Sequence, residues 1–282
     1  LIHQLLARLL PNDYFLRHRD YFEAWQVLRL AKQPAAEADI CHALELLRPV
    51  ACAHPLIRIG GDRDGAYLVP DDLDGIRACF SPGTDNKTGF ETELAQRFSI
   101  PSLMWDGSVQ AEQLQLVEGM HSFEQRWLKD YEDATSSSLD QWVASSPYAD
   151  SGDLLLQIDI EGGEYPALLF ASHSVLSRFR IIAMELHGLE RLDDRRFLNL
   201  KFMPLLQKLR ASFDLVHLHA NNCLPPVAHG QRRVPPIVEI TFLRRDRNRQ
   251  PHYAPQLPHP LDIVNVAHKP LIPLAPIWAG EG

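Results

Sequence analysis

The stretch DLLLQIDIEGGEY, Asp153 to Tyr165, limits the fold more than any other part of the chain. An apolar run starts at Leu154 and admits Gln157. It ends among three acids, Asp159, Glu161 and Glu164, with Gly162 and Gly163 between them. A short apolar run of this kind reads as a strand buried on both faces, as in a parallel sheet. Packing does not call for acids and paired glycines at the end of such a strand. Ligands of open α/β sheets bind beyond the carboxyl ends of the strands. This strand therefore reads as the centre of a cofactor and substrate site.

Strand and helix patterns alternate on both sides of it. Residues 1–54 carry helical spacing, interrupted at Pro11, Pro34 and Pro49, and read as an N-terminal helical extension. Ile57 to Pro70 holds two β-rich runs around Gly60 to Gly65, a hairpin whose charged tip suits a lid over a polar ligand. Ile76 to Ser81 is a strand, Ser81 to Asn86 a turn, and Gly89 to Phe98 a helix. Pro101 to Trp105 is a second strand, ending at Asp106-Gly107. An acid about 20 residues after the first turn is placed to accept hydrogen bonds from ribose hydroxyls. Val117 to Phe123 reads as a strand and Ser138 to Val143 as a capped helix. Further strands are expected at Phe179 to His187, Phe213 to His219 and Pro236 to Leu243, with a helix over Leu192 to Ser212 that breaks near Pro204. The economical fold is an α/β, right-handed doubly wound sheet over residues 55–250. Residues 251–282 are rich in proline, without periodicity, and read as a tail that packs on the domain or leaves it.

Composition excludes some classes. A net charge of −8 argues against general nucleic-acid binding, and Arg244, Arg245, Arg247 and Arg249 read as a solvated loop. The four cysteines form no CxxC pair and read as free thiols of a reducing compartment, the cytoplasm. No apolar run approaches the ~18 residues of a membrane span. Histidines without a partner at motif spacing, His121 and His229 among them, read as surface or loop residues. The chain opens at Leu1 rather than Met, so a neighbouring domain in a longer protein is open, and the N-terminal helices would serve as a dimerisation arm in a homo-oligomer.

Five strand ends collect polar groups: Gly83 and Asp85, Asp106, Asp159 and Glu161, Glu185 and His187, His219 and Asn221. On these residues the chain resembles the FkbM-type S-adenosylmethionine-dependent methyltransferases. The likeness rests on Cys79 to Glu91, Asp106, Ser138 to Trp142, Ile158 to Glu164 and Met184 to His187. It extends to a branch with an Arg-x-Gly-Gly-x-x-Asp-Gly-x-Tyr segment, here Arg58 to Tyr67, and a His-x-Asn-Asn segment, here His219 to Asn222. It covers roughly residues 55–245. The resemblance implies a class I, Rossmann-like sheet of seven strands with the last antiparallel, and methyl transfer to a hydroxyl, often of a sugar. The cofactor contacts it suggests are Ser81, Gly83, Asp85, Glu91, Asp106, Gly107, Asp159 and Glu161. Acceptor contacts are expected at Arg58, Asp64, Tyr67, Glu164, Asn221 and Asn222. A glycine-rich first turn is usual in the family, whereas this chain has Ser81-Pro82-Gly83.

A sugar hydroxyl is a weak acid, so a base or a metal must assist its deprotonation. Asp159 with His187 or His219 would supply the base. Alternatively Asp159 and Glu185, with His219 or His187, would hold a divalent cation such as Mg or Mn. The partner that the resemblance implies is a sugar or glycan acceptor, for example of a bacterial polysaccharide. Two other functions compete. An NAD(P)-dependent oxidoreductase shares the strand, turn, helix and ribose acid, but the chain lacks a full GxGxxG and a Tyr-x-x-x-Lys pair. A non-catalytic domain that binds glycan or a partner protein is the third reading.

Overall fold

A computed structural model of the chain describes residues 34–62, 64–150 and 152–279. The helices expected over residues 1–33 lie outside the described residues.

The first described helix, α1 (Glu37–Glu45), turns Ile40, Ala43 and Leu44 into the core. Strands β1 (Leu56–Ile59) and β2 (Tyr67–Pro70) form the expected antiparallel hairpin. Then come β3 (Ile76–Pro82), α2 (Gly89–Phe98) and β4 (Ser102–Trp105). Helix α2 ends where Ser99 adopts φ 54°, and the Ile100 N–H closes on the Leu94 carbonyl at 3.2 Å, a left-handed C-terminal cap. After β5 (His121–Glu124) come the short parallel pair β6 (Trp127–Leu128) and β7 (Ser136–Ser137). In α3 (Leu139–Ser145), Ser138 caps the N-terminus by accepting from the Gln141 N–H at 3.2 Å. The chain continues through β8 (Asp153–Ile158), α4 (Glu164–Phe170), α5 (His173–Leu176) and β9 (Phe179–Leu186).

Helix α6 (Arg195–Phe197) runs through a π-helical turn, Leu198–Phe202, into α7 (Met203–Arg210). The break expected at Pro204 is this wider turn. A proline there has no N–H for the carbonyl four residues back and its ring presses on that carbonyl; a π turn absorbs both. Strand β10 (Phe213–Ala220), the hairpin β11 (Val227–His229) and β12 (Arg232–Val234), then β13 (Val238–Arg244) follow. A last short helix, α8 (Pro276–Ala279), lies near the end of the described chain.

One seven-stranded sheet, ordered β10-β13-β9-β8-β3-β4-β5, organises the molecule. Pairings along β9-β8-β3-β4-β5 are parallel, and β13 is antiparallel to both neighbours. The order reverses between β3 and β8, the switch point at which open sheets bind ligands. This is the class I methyltransferase arrangement of a Rossmann-like sheet, with the last strand in sequence antiparallel.

Period-two alternation in β8 decides what each face carries. Leu154, Leu156 and Ile158 point into the larger core, packed by α1, α3, α4 and the α6–α7 region. Leu155 and Gln157 point the other way. Leu155 joins a smaller core with Phe90 and Leu94 of α2 and Tyr67 and Val69 of the hairpin. The Thr241 hydroxyl of β13 donates to the Leu68 carbonyl at 2.7 Å and fixes the hairpin to the sheet.

Some segments differ from expectation for local reasons. Only His121–Glu124 of the 117–123 stretch is strand; Val117–Met120 is a turn in which Gly119 takes φ 74°. Of the arginines at the end of β13 and beyond it, Arg245 and Arg249 are exposed as expected, but three of the four are also ion-paired. Arg244 pairs with Asp153 at 2.8 Å and Asp246 at 2.7 Å, Arg245 with Asp214 at 3.0 Å, and Arg247 with Asp72 at 2.6 Å. Arg180 completes this network on Asp153 at 2.8 Å. His229 is buried in β11 with Nε2 2.8 Å from the Leu189 carbonyl. The proline-rich tail packs closely. Trp278 is buried and its indole N–H donates to the Leu44 carbonyl at 2.9 Å. The Asn222 amide donates to the Val266 and Lys269 carbonyls and accepts from the Val266 N–H at 2.8 Å. Among the described residues no helix is long and apolar enough to cross a membrane.

Candidate functional site

A cavity of about 620 Å³ opens at the carboxyl ends of β3, β4, β8 and β9. The turn after β3 brings its wall close to β8. Gly83 has φ 83°, and a Cβ there would overlap the Asp159 carbonyl oxygen. Only glycine allows the two strand ends to approach this closely. Asp85 and Glu161 also sit in the left-handed region, at φ 47° and 53°. Non-glycine residues seldom adopt it, and such positions concentrate at functional turns.

The half of the cavity beside β3 and β4 is built on Asp106 and Glu91. Asp106 is buried and accepts from the Asp85 N–H at 2.9 Å and from Ser108 N–H and Oγ at 2.8 and 2.6 Å. Gly107 is flat against the Trp127 indole, since a Cβ would collide with the ring. Trp127 lines the cavity with Leu128 and is about 42% exposed. Glu91, on the first turn of α2, is buried beneath this half. Its Oε1 and the Gln157 Oε1 both lie within hydrogen-bond reach of the Ser81 hydroxyl, and the Tyr67 hydroxyl accepts from Gln157 Nε2 at 3.4 Å. Burial pushes the Glu91 carboxyl up.

The other half is acidic. Register places Ile158 beside Met184, so Asp159 follows next to Glu185; Glu185 pairs with Glu239 and Glu239 with His219. The result is a polar row across β8, β9, β13 and β10. Burial raises both Asp159 and Glu185; the charges of Asp159 and Glu239 push Glu185 up further, while His187 and a hydrogen bond shared with Glu185 offset part of the rise at Asp159. Burial pushes Glu239 up to about 7, against the pull of His219. Asp64, from the hairpin tip, reaches over the row. Lys87 lies 2.9 Å from its Oδ2, and Asn265 donates to its Oδ1 at 2.9 Å and to Glu239. These donors outweigh burial and lower the Asp64 carboxyl. Asn221 donates to Glu185 at 2.9 Å.

His187 stands among four carboxylates: Nε2 is 3.3 Å from Glu161, 3.8 Å from Glu185 and 3.9 Å from Asp159, and Nδ1 is 3.4 Å from Glu164. Burial would lower its pKa, but Glu164, Asp159 and Glu161 outweigh burial and raise it. Glu164 is fully buried and accepts from the Gly162 and His187 N–H groups at 2.7 and 3.0 Å, stapling the β8 turn to the end of β9.

Of the residues singled out from sequence, the cavity wall contains Asp64, Gly83, Asp85, Glu91, Asp106, Asp159, Glu161, Glu185, His187 and Asn221. Tyr67 and Ser81 lie beneath it through Gln157 and Glu91. Arg58 donates from Nε to the Gly61 carbonyl at 2.6 Å. Asn222 holds the tail. His219 is one strand beyond Glu239, with Nδ1 3.6 Å from Asp262, and Asp262 also binds His217 at 2.9 Å. Among the described residues two separate groups each bring potential metal-donor atoms within 4.8 Å of one another: Asp159, Glu161 and His187 in one, Asp64, Glu185 and Glu239 in the other. His219 is in neither. Glu239, Asp262, Asn265, Gln157 and Trp127 were not among the site residues chosen from sequence. Glu239 reads from sequence equally as an ion-pairing acid and as a site-facing one, and it is the position of β13 between β9 and β10 that puts it in the row. Asp262 and Asn265 sit in a segment with no periodicity to read.

No protein-family model matches this chain, and no curated protein matches it. Among solved structures, three are similar to it at low identity. Human methyltransferase-like protein 13 in complex with SAH is 14% identical over 74% of this chain and 82% of its own, TM-score 0.36. Thermoplasma acidophilum 1320 is 11% identical over 62% and 81%, TM-score 0.28. The 30S ribosomal A1408 methyltransferase from an uncultured bacterium is 11% identical over 67% and 100%, TM-score 0.29. At these scores the likeness adds nothing to what the strand order already shows.

Proposed function

We propose that the chain is an S-adenosylmethionine-dependent O-methyltransferase of the FkbM type, acting on a hydroxyl of a sugar or glycoconjugate. One observation carries the reading: the class I strand order opens, at its switch point, into a single cavity with a cofactor-like half and an acid-rich half.

The residues fit the cofactor. The Gly83 turn draws the ends of β3 and β8 together at the cavity wall, Asp106 offers a buried carboxylate for ribose hydroxyls, and Trp127 offers a flat face for a base ring. When bound, S-adenosylmethionine supplies a methyl group on a cationic sulfur, an electrophile that needs alignment more than activation. The chain's own part is to position the acceptor and take its proton. Asp159 and Glu185 are suited to that, because a carboxyl pair sharing one proton can accept another near neutrality. His187, whose pKa the surrounding acids raise, is placed to balance their charge rather than to serve as base.

The acid half also fits a hard divalent cation. Asp64, Glu185 and Glu239 offer an all-oxygen set, which suits Mg, Mn or Ca. Such an ion would lower the pKa of a coordinated sugar hydroxyl.

Titration calorimetry with S-adenosylhomocysteine and with NAD tests the cofactor. Binding of the first alone supports the reading, binding of NAD alone replaces it with the oxidoreductase, and silence to both leaves a non-catalytic module. Mass spectrometry of sugar acceptors incubated with S-adenosylmethionine should show a gain of one methyl group. Undiminished turnover in EDTA would remove the metal.

A further inference from the structure

Glu91 is 2% exposed, yet it lines the cavity. Its two oxygens differ. Oε1 meets the Ser81 hydroxyl, while Oε2 has no hydrogen-bond partner among the described residues. No basic side chain forms an ion pair with it there either. A buried carboxylate with an unsatisfied oxygen is costly unless a partner arrives. A carboxylate oxygen only accepts, so the missing partner must carry N–H or O–H donors, and charge balance favours a cationic donor. Thr84 Oγ1, also buried in the cavity wall, likewise has no partner among the described residues.

We infer that Glu91 is the receptor for a ligand ammonium group, which, on the methyltransferase reading, is the α-ammonium of the cofactor's amino-acid end. The sulfonium is the other cationic centre of S-adenosylmethionine, but it has no hydrogen to donate and leaves Oε2 as unsatisfied as before. The hydroxyl of Thr84 then offers a donor to the carboxylate of the same amino-acid end. Glu91 thus discriminates ligands that keep the amino group from those that lack it, and Ser81, whose hydroxyl meets Oε1, holds the carboxylate in place.

The test is calorimetric and needs no turnover. S-adenosylhomocysteine, which has the ammonium and no sulfonium, is titrated beside its deaminated analogue, first into the wild-type protein. The ammonium should make the parent bind about ten- to hundredfold more tightly, the usual worth of a charge-assisted hydrogen bond. In Glu91→Gln that advantage should fall to a few-fold, while affinity for the deaminated analogue stays within a factor of two or three. Thermal melting shows whether the near-isosteric variant is folded. Equal wild-type affinity for the two compounds overturns the inference without recourse to a mutant. So does a Glu91→Gln protein that loses both ligands alike, since Glu91 would then act only through the shape of the site. If S-adenosylmethionine binding alone weakens and S-adenosylhomocysteine binding does not, the sulfonium is the partner and the inference also fails. Binding of neither compound to the wild type overturns the methyltransferase reading itself, and the inference with it.

Discussion

At Gly83 one missing carbon atom permits the site. A Cβ there would overlap the backbone carbonyl of Asp159, and φ 83° is itself unfavourable for alanine. Relief requires the β3 turn to move off the end of β8. Gly83→Ala is therefore expected to lose on the order of 3 kcal/mol, combining overpacking with backbone strain, read from urea unfolding. S-adenosylhomocysteine binding should be lost even at temperatures where the variant is folded. Asp153, at the opposite end of β8, acts through charge. Burial would raise its carboxyl, but hydrogen bonds from Arg244 and Arg180 hold it below the usual range. A depressed carboxylate contributes stability above its unfolded pKa, about 3.9, and that contribution disappears as pH falls through the folded value. Asp153→Asn should cost about 2 kcal/mol at pH 7, in the range of lost charged hydrogen bonds. Wild type and variant should converge toward pH 3, as urea midpoints across pH will show. A gap of constant size would mean that Asp153 acts by shape.

Elements whose pattern repeats were legible. Helix α2 lies where its spacing puts it, and β3, β8 and β9 fall within a residue or two of the expected runs. Each is specified by its own apolar period, a local property of the sequence. The polar row across β8, β9, β13 and β10 was legible only in part. Asp159, Glu185 and His187 stand out as charges ending apolar strands. That Glu239 lies between Glu185 and His219 follows from β13 inserting between its neighbours, a fact of topology rather than of spacing. The tail was the least legible. It makes few repetitive backbone bonds and is fixed by single side chains: Asn222 receiving Val266, Asn265 bridging the hairpin and β13, and Trp278 filling a hole beside α1. Such contacts leave no periodic trace. The consequence can be measured. Trp278→Ala should cost about 3–5 kcal/mol, as for other buried aromatic truncations, read as a lower urea midpoint. A change below 1 kcal/mol would show that the tail is only loosely held.

The molecule as a whole is acidic, and its cavity is more so. The chain carries a net charge of −8. The cavity wall sets the carboxyl groups of Asp64, Asp85, Glu91, Asp106, Asp159, Glu161 and Glu185 against Lys87, Arg126, Lys129 and His187. Lys87 is paired with Asp64, and His187 is enclosed by acids. Arg126 and Lys129 lie by Trp105 and Trp127, away from the acid row. An acceptor entering beside Asp159 and Glu185 therefore meets negative potential within low-dielectric walls, where charge is screened poorly. A neutral sugar can offer its hydroxyls to these carboxylates as donors. A phosphorylated or sulfated one brings like charge, and a single divalent ion would offset only part of it. Neutral acceptors are accordingly expected to exceed their phosphate esters in kcat/KM by roughly tenfold or more. The gap should narrow as salt rises from about 0.01 to 0.15 M, since the Debye length then shrinks from about 30 to 8 Å. Equal rates with both acceptors, or a preference for the phosphate, would mean that the acceptor lies outside the acid row, and the assignment of that half of the cavity would fall.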